Sequence, residues 1–166
     1  FSLVRGLGDA MNKGVVCSNY TDPVHTWNVV KNFKGGTALF TQPATPIKCG
    51  GAPQKIMYLA ESHWAKSDTR SKTKVIFATA GTVIFVTKEI AQTLMKVVDR
   101  KDINLRFNHK LVEVDAEKQI AWYSLTKEVS IGNCIVKAEQ EDGETIDETF
   151  QYNYKDVNTL VKDGLY

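Results

Sequence analysis

The chain is poor in sulfur and proline, with three cysteines and four prolines in 166 residues. Cys17, Cys49 and Cys134 are an odd, sparse set, which argues against a disulfide-stapled scaffold. No C-x-x-C pair occurs, and His25, His63 and His109 lack ligand spacing with any cysteine, so no zinc site is expected. Neither sign of charge dominates: 21 basic residues face 19 acidic ones, a formal net charge of +2. This gives no electrostatic case for a nucleic-acid partner. No apolar run approaches the roughly 20 residues that span a bilayer; the most apolar window is Val83-Ile84-Phe85-Val86. The N-terminus, Phe1-Ser2-Leu3-Val4-Arg5, has no initiator Met and no signal-like core. The chain therefore reads as cut from something longer, with any transit peptide upstream. Glycine fingerprints are missing too. Ala80-Gly81-Thr82-Val83-Ile84-Phe85 has one glycine where a pyrophosphate grip needs G-x-G-x-x-G, so NAD(P)H binding is not expected there. The glycine pairs at 35–36 and 50–51 are no nucleotide fingerprint either.

What is present is a soluble, globular composition, 43% hydrophobic and 24% charged, long enough for one sizeable core or two small interdependent units. The fold class read from it is α/β. Residues 1–20 read as loop or broken helix, with Val15 to Ser18 a short strand or turn entry. Thr21 or Asp22 caps a helix with Pro23 in its first turn. Val24, Trp27, Val30 and Phe33 form its apolar stripe, read as core, and Gly35-Gly36 stops it. A strand over 37–40 follows, then a proline-stiffened connection through Pro43 and Pro46. A helix from about Pro53 to His63 or Lys66 carries Ile56, Met57, Leu59 and Ala60. The polar stretch Lys66 to Lys74 is the best internal boundary, giving a first unit over 1–66 and a second over 67–166. The second opens with a buried parallel strand from Val75 and a helix capped by Thr87, with Ile90, Leu94, Val97 and Val98 on one face. A strand over 103–107 completes a Rossmann-like βαβ unit. A β-meander is appended through 111–114 and 120–125. Beyond it, 131–136 and Phe150, Tyr152, Tyr154 read as strands, Glu139 to Glu144 as an acidic turn, and 156–165 as a short helix.

The stretch that organises the chain is Thr41 to Met57. Cys49 falls in a glycine turn just before a helix N-terminus, where the macrodipole and unpaired N–H groups stabilise a thiolate. Lys48 and Lys55 add positive charge. The bland reading is a small buried cysteine beside a strand-to-helix turn. Cys17 and Cys49 precede elements of the same unit, and that topology can return both to one sheet edge. No Ser-His-Asp set is apparent, and Glu61, Glu89 and Glu113 have ordinary helix-face or strand-face explanations.

The run Phe40-Thr41-Gln42-Pro43-Ala44-Thr45-Pro46-Ile47-Lys48-Cys49-Gly50-Gly51-Ala52-Pro53-Gln54-Lys55-Ile56-Met57-Tyr58-Leu59 resembles mitochondrial-type sulfide:quinone oxidoreductases. Arg5-Gly6-Leu7, Ser18-Asn19-Tyr20, Arg70-Ser71-Lys72 and Lys118-Gln119 extend the likeness over about residues 3 to 125. The resemblance implies a middle portion of a two-Rossmann, glutathione-reductase-like flavoprotein, with part of its FAD domain. It implies Cys49 as a redox cysteine, with Cys17 carried over only through its Cys-Ser-Asn-Tyr context; Cys134 stays a structural thiol. It also implies FAD, hydrogen sulfide as substrate, ubiquinone as electron acceptor, and glutathione or sulfite as sulfur acceptor. Peripheral association with the matrix side of the mitochondrial inner membrane follows from the same likeness. The family's FAD fingerprint, its second redox cysteine and its membrane anchor are not matched, so the isolated chain is expected not to turn over. The alternative is a truncated or diverged relative acting as a sulfur-binding or interaction module. A type II NADH dehydrogenase-like protein is a weaker reading, opposed by the missing glycines.

Overall fold

The computed structural model describes residues 2–11, 13–14, 16–45 and 47–125, and the backbone of strands at 128–131, 134–137 and 148–153. Pro46, the acidic turn at 139–144, Tyr154 and the helix expected over 156–165 lie outside the described residues, as does the side chain of Cys134.

Three parallel strands form the centre: β1 (Gly36–Gln42), β2 (Thr73–Thr79) and β3 (Ile103–Arg106), in the order β1-β2-β3. Register runs Gly36 with Thr73 through Gln42 with Thr79, and Val75 with Ile103 through Ala78 with Arg106. Parallel neighbours need a crossover, and helices supply both. These are α3 (Ala52–Lys66) between β1 and β2 and α4 (Lys88–Arg100) between β2 and β3, with α2 (Pro23–Asn32) preceding β1. A four-residue helix, α1 (Leu7–Ala10), lies nearest the N-terminus.

The two faces of β2 sort by side-chain alternation. Val75 and Phe77 join Val30, Met57, Ala60, Trp64, Ile84, Val98 and Ile103 in the core under the helices. Ile76 and Ala78 pack on the other face against Ala121 and Tyr123. Those two belong to β5 (Ile120–Leu125), which pairs antiparallel with β4 (His109–Asp115) and with a later strand at Glu148–Asn153. The expected meander is thus present and forms the second layer over the parallel sheet. A hairpin of Glu128–Ile131 and Cys134–Lys137 replaces the single strand expected over 131–136.

Local chemistry explains the starts and stops. The Asp22 carboxylate accepts from the His25 N–H at 2.8 Å, and Pro23 opens α2. Gly35, at φ +114°, lets the chain pass Lys72 so closely that an added Cβ would lie 2.8 Å from the Lys72 Cβ. Thr87 stands at the N-cap of α4, but its side chain makes no capping bond.

The helical stripes differ from those read in the sequence. On α2 the buried residues are Thr26 and Val30, while Val24 and Trp27 are 71% and 49% exposed. On α3 the buried face is Gln54, Met57, Ala60, Glu61 and Trp64, and Leu59 points outward. On α4, Ala91, Leu94, Met95 and Val98 face the core and Ile90 is exposed. In each case the helix turns toward the side where a neighbour exists, which a count of apolar residues does not reveal. Residue 66 lies at the end of α3, and one hydrophobic core crosses that point, joining Met57 and Trp64 to Val75 and Phe77.

Candidate functional site

The carboxyl ends of the parallel strands make one edge, where open α/β sheets place their ligands. The chain leaves β1 there, passes Cys49 and enters α3. The Ala52 N–H donates to the Cys49 carbonyl at 3.1 Å, closing the Gly50-Gly51 turn. Gly51 stands at the N-cap without a side-chain bond, and Pro53 fills the first turn. Cys49 is exposed and its thiol is free. The buried-cysteine reading therefore does not hold: a loop at the open end of the sheet leaves its side chain no layer to pack into.

Two loops brace this turn. Tyr20 lies under the Lys48 ammonium, 5.5 Å from Nζ to the ring centre, which draws the loop of Cys17 alongside that of Cys49. On the other side, residues 80–87 follow β2. The Phe85 ring edge lies 3.7 Å from where a Cβ on Gly50 would stand, and the Lys55 side chain folds over Gly51. Gln54, 2% exposed, donates from Nε2 to the Ile84 carbonyl at 3.3 Å and accepts from the Tyr58 hydroxyl at 3.4 Å. Burial holds the Tyr58 phenol above its usual pKa, so it remains a donor.

Cys17 sits differently. Its thiol is free and half-buried beside the first turns of α2. Burial pushes its pKa up; a hydrogen bond with Thr26 works against this, and the Asp22 carboxylate works with it. A thiol so placed is a poor thiolate donor at neutral pH. The structure therefore brings the two cysteine loops together and gives the thiols unlike surroundings.

At the opposite end, where the parallel strands β2 and β3 begin, an ion cluster ties the elements together. Glu61, 5% exposed, pairs with Lys101 and lies 3.5 Å from Arg70. Arg70 donates to the carbonyls of Thr73, Lys101 and Asp102 at 2.6–2.8 Å, locking α3 to the start of β2 and the end of α4. Between α2 and α3 lies a groove of about 430 Å³, lined by Trp27, Ile56, Leu59 and His63 among others. Trp27 meets His63 edge-on at 4.9 Å. The signal for Glu61 and Gln54 was spacing: both lie at helical intervals from Met57. Among the described residues no cluster suited to a metal ion occurs.

The chain is 39% identical over 127 residues to the mitochondrial sulfide:quinone oxidoreductase of Mus musculus, a match covering 75% of this chain and 28% of that protein. It is 36% identical over 137 residues to the protein of the same name from Dictyostelium discoideum, covering 81% and 29%. It thus resembles a portion of these proteins and spans under a third of their length. No protein-family model matches the chain. Its fold is similar to that of the sulfide:quinone oxidoreductase from Aquifex aeolicus, with TM-score 0.59 and 13% identity, over 93% of this chain and 32% of that one. It is also similar to a chain in the mitochondrial ATP synthase structure from Tetrahymena thermophila, with TM-score 0.61 and 17% identity, over 93% and 36%. At such identities the solved structures share the fold alone with this chain.

Proposed function

We propose that this chain is the cysteine-bearing middle segment of a mitochondrial sulfide:quinone oxidoreductase, with Cys49 as one of its two redox sulfurs. The observation that carries the reading is the match to the mouse protein, joined to an exposed, free thiol at the carboxyl edge of the sheet. Cys17 is the weaker candidate, since burial favours its protonated form.

In the proposed chemistry Cys49 is linked through a disulfide or trisulfide to a second cysteine of the whole protein. Hydrosulfide attacks one sulfur, a new S–S bond forms, and the old one breaks. From a disulfide, one cysteine is left as a persulfide and the other departs as a thiolate holding the bond's electron pair; from a trisulfide, the departing cysteine keeps the central sulfur and leaves as a persulfide anion. The persulfide sulfur then passes to a nucleophile such as glutathione or sulfite. Lys48 and Lys55, beside the turn, favour approach of an anion and departure of a thiolate. The resemblance implies FAD as the carrier of two electrons to ubiquinone. The described residues do not fit a flavin pyrophosphate: the loop after β2 has one glycine, buries Ile84 in the core and sets Phe85 on the cysteine turn. No step on this chain runs through that group. Location at the matrix face of the inner membrane belongs to the same proposal; among the described residues no helix is long and apolar enough to cross a membrane.

The test is sulfide-dependent reduction of a soluble ubiquinone analogue by the whole polypeptide that carries this chain. Cys49→Ala should abolish it, and mass spectrometry should find an added sulfur on Cys49 in the unsubstituted protein. Undiminished turnover in Cys49→Ala would remove Cys49 from the mechanism.

A further inference from the structure

Gln54 interrupts an apolar stripe. Met57, Ala60 and Trp64 share its buried face on α3, and a leucine there would serve packing as well. A buried amide is costly unless its polar atoms are paired. Both ends of Gln54 are paired, and its donor goes to the backbone of the loop after β2, at Ile84. Ile84 is 2% exposed and belongs to the main core, so the acceptor is fixed. The next residue, Phe85, lies against Gly50 and Gly51, the two residues that follow Cys49. The same loop leaves Val83 and Val86 51% and 89% exposed, so its inward contacts are concentrated at Ile84 and Phe85.

We infer that Gln54 and Phe85 are positioning residues for Cys49. The loop after β2, in the place where a nucleotide-binding unit carries its phosphate-gripping glycines, serves here to hold the cysteine turn. Gln54 fixes the loop to the first turn of α3, and Phe85 caps the glycine turn, so Cys49 is presented in one orientation. What that orientation serves rests on the sulfur chemistry proposed above; the restraint itself does not.

The restraint is measurable on this chain with a nitroxide attached to Cys49, after Cys17→Ser and Cys134→Ser. The unsubstituted loop should give a slow, restricted spectrum. Gln54→Met, which keeps the volume and removes the donor, and Phe85→Ala should each raise the mobile fraction about fivefold, the shift expected for loss of one buried hydrogen bond or equivalent contact. Phe85→Leu, which keeps an apolar cover, should restore most of the restricted signal. Val98→Ala, in the same core but on α4, should loosen the fold without mobilising the label. If Phe85→Ala does not fold, Phe85→Val takes its place. An unchanged spectrum in Gln54→Met and Phe85→Ala, or equal mobilisation by Val98→Ala, overturns the inference. A restrained label in a protein whose full-length form oxidises no sulfide would instead sink the oxidoreductase reading and leave this one standing.

Discussion

Two cysteines about thirty residues apart in sequence meet opposite environments, and their protonation follows. Cys17 is half-buried with Asp22 nearby, both of which hold its thiol neutral. Its thiolate should therefore emerge only above the usual thiol range, and stability should fall as pH rises through that range into the raised folded value, because the unfolded chain loses its proton first. Denaturant titrations from pH 7.5 upward should show this decline, and Cys17→Ser should flatten it. His109 gives the mirrored case on the acid side. Burial lowers its pKa and Arg106 acts in the same direction, against the hydrogen bond with the Phe107 carbonyl. The unfolded chain then binds the proton first as pH falls, so stability is full above the ordinary histidine value and is lost between it and the lowered one. His109→Gln should remove that acid-side loss; a titration of the histidine ring by NMR that gave an ordinary or raised value would refute it. At this scale the sequence was legible for Cys49, whose glycine turn and following Pro53 mark a helix entry. It was not for Cys17, since the side chains that bury a residue come from elements distant in the chain.

The elements were placed well and faced less well. Asp22-Pro23, Gly35-Gly36 and the Gly51-Pro53 entry are local signals, and each marks a boundary the structure has. Facing depends on partners. Val24, Trp27 and Leu59 fit an apolar period yet lie outward, because α2 and α3 pack on the sheet through Val30, Met57 and Trp64. The Trp64 indole N–H donates to the Val30 carbonyl at 2.9 Å, which fixes how the two helices meet. Leu59→Gln should therefore leave stability within about 0.5 kcal/mol, measured by urea titration. Glu61 shows the opposite case, a carboxylate with an ordinary surface explanation in sequence that is buried in fact. Its removal leaves Arg70 and Lys101, whose side chains are 19% and 23% exposed, without the buried carboxylate they share. Glu61→Ala should cost about 2–4 kcal/mol, toward the lower part of what a broken buried pair costs, because both cations keep some water. A urea midpoint unchanged by Glu61→Ala would show that the cluster is no lock.

For the whole molecule, the α/β reading held because its cues are periodic and short-range: a buried run at 75–78, an amphipathic helix, a second strand, and then alternation. What the sequence did not carry was the pairing of β1 with β2, a contact between residues more than thirty apart that the polar stretch at 66–74 disguised as a seam. That stretch is polar because most of its residues lie at the sheet's amino end in solvent, while Arg70 turns inward to bind the Thr73 carbonyl. The core makes a prediction at this scale. Val30, Met57, Ala60 and Trp64 from one side of residue 66 interlock with Val75, Phe77, Val98 and Ile103 from the other. Neither side retains a closed core alone, since β2 contributes to both layers and, among the described residues, β1 has its ladder partner only in β2. Unfolding of residues 1–125 should then be a single cooperative step, with tryptophan fluorescence, to which the buried Trp64 contributes, and far-UV circular dichroism changing together in urea. The separate pieces 1–66 and 67–125 should show no cooperative transition on their own but regain one when mixed. Two resolved transitions in the joined chain would mean that the halves are held by the sheet edge alone and that the cysteine turn sits on an independently folding unit.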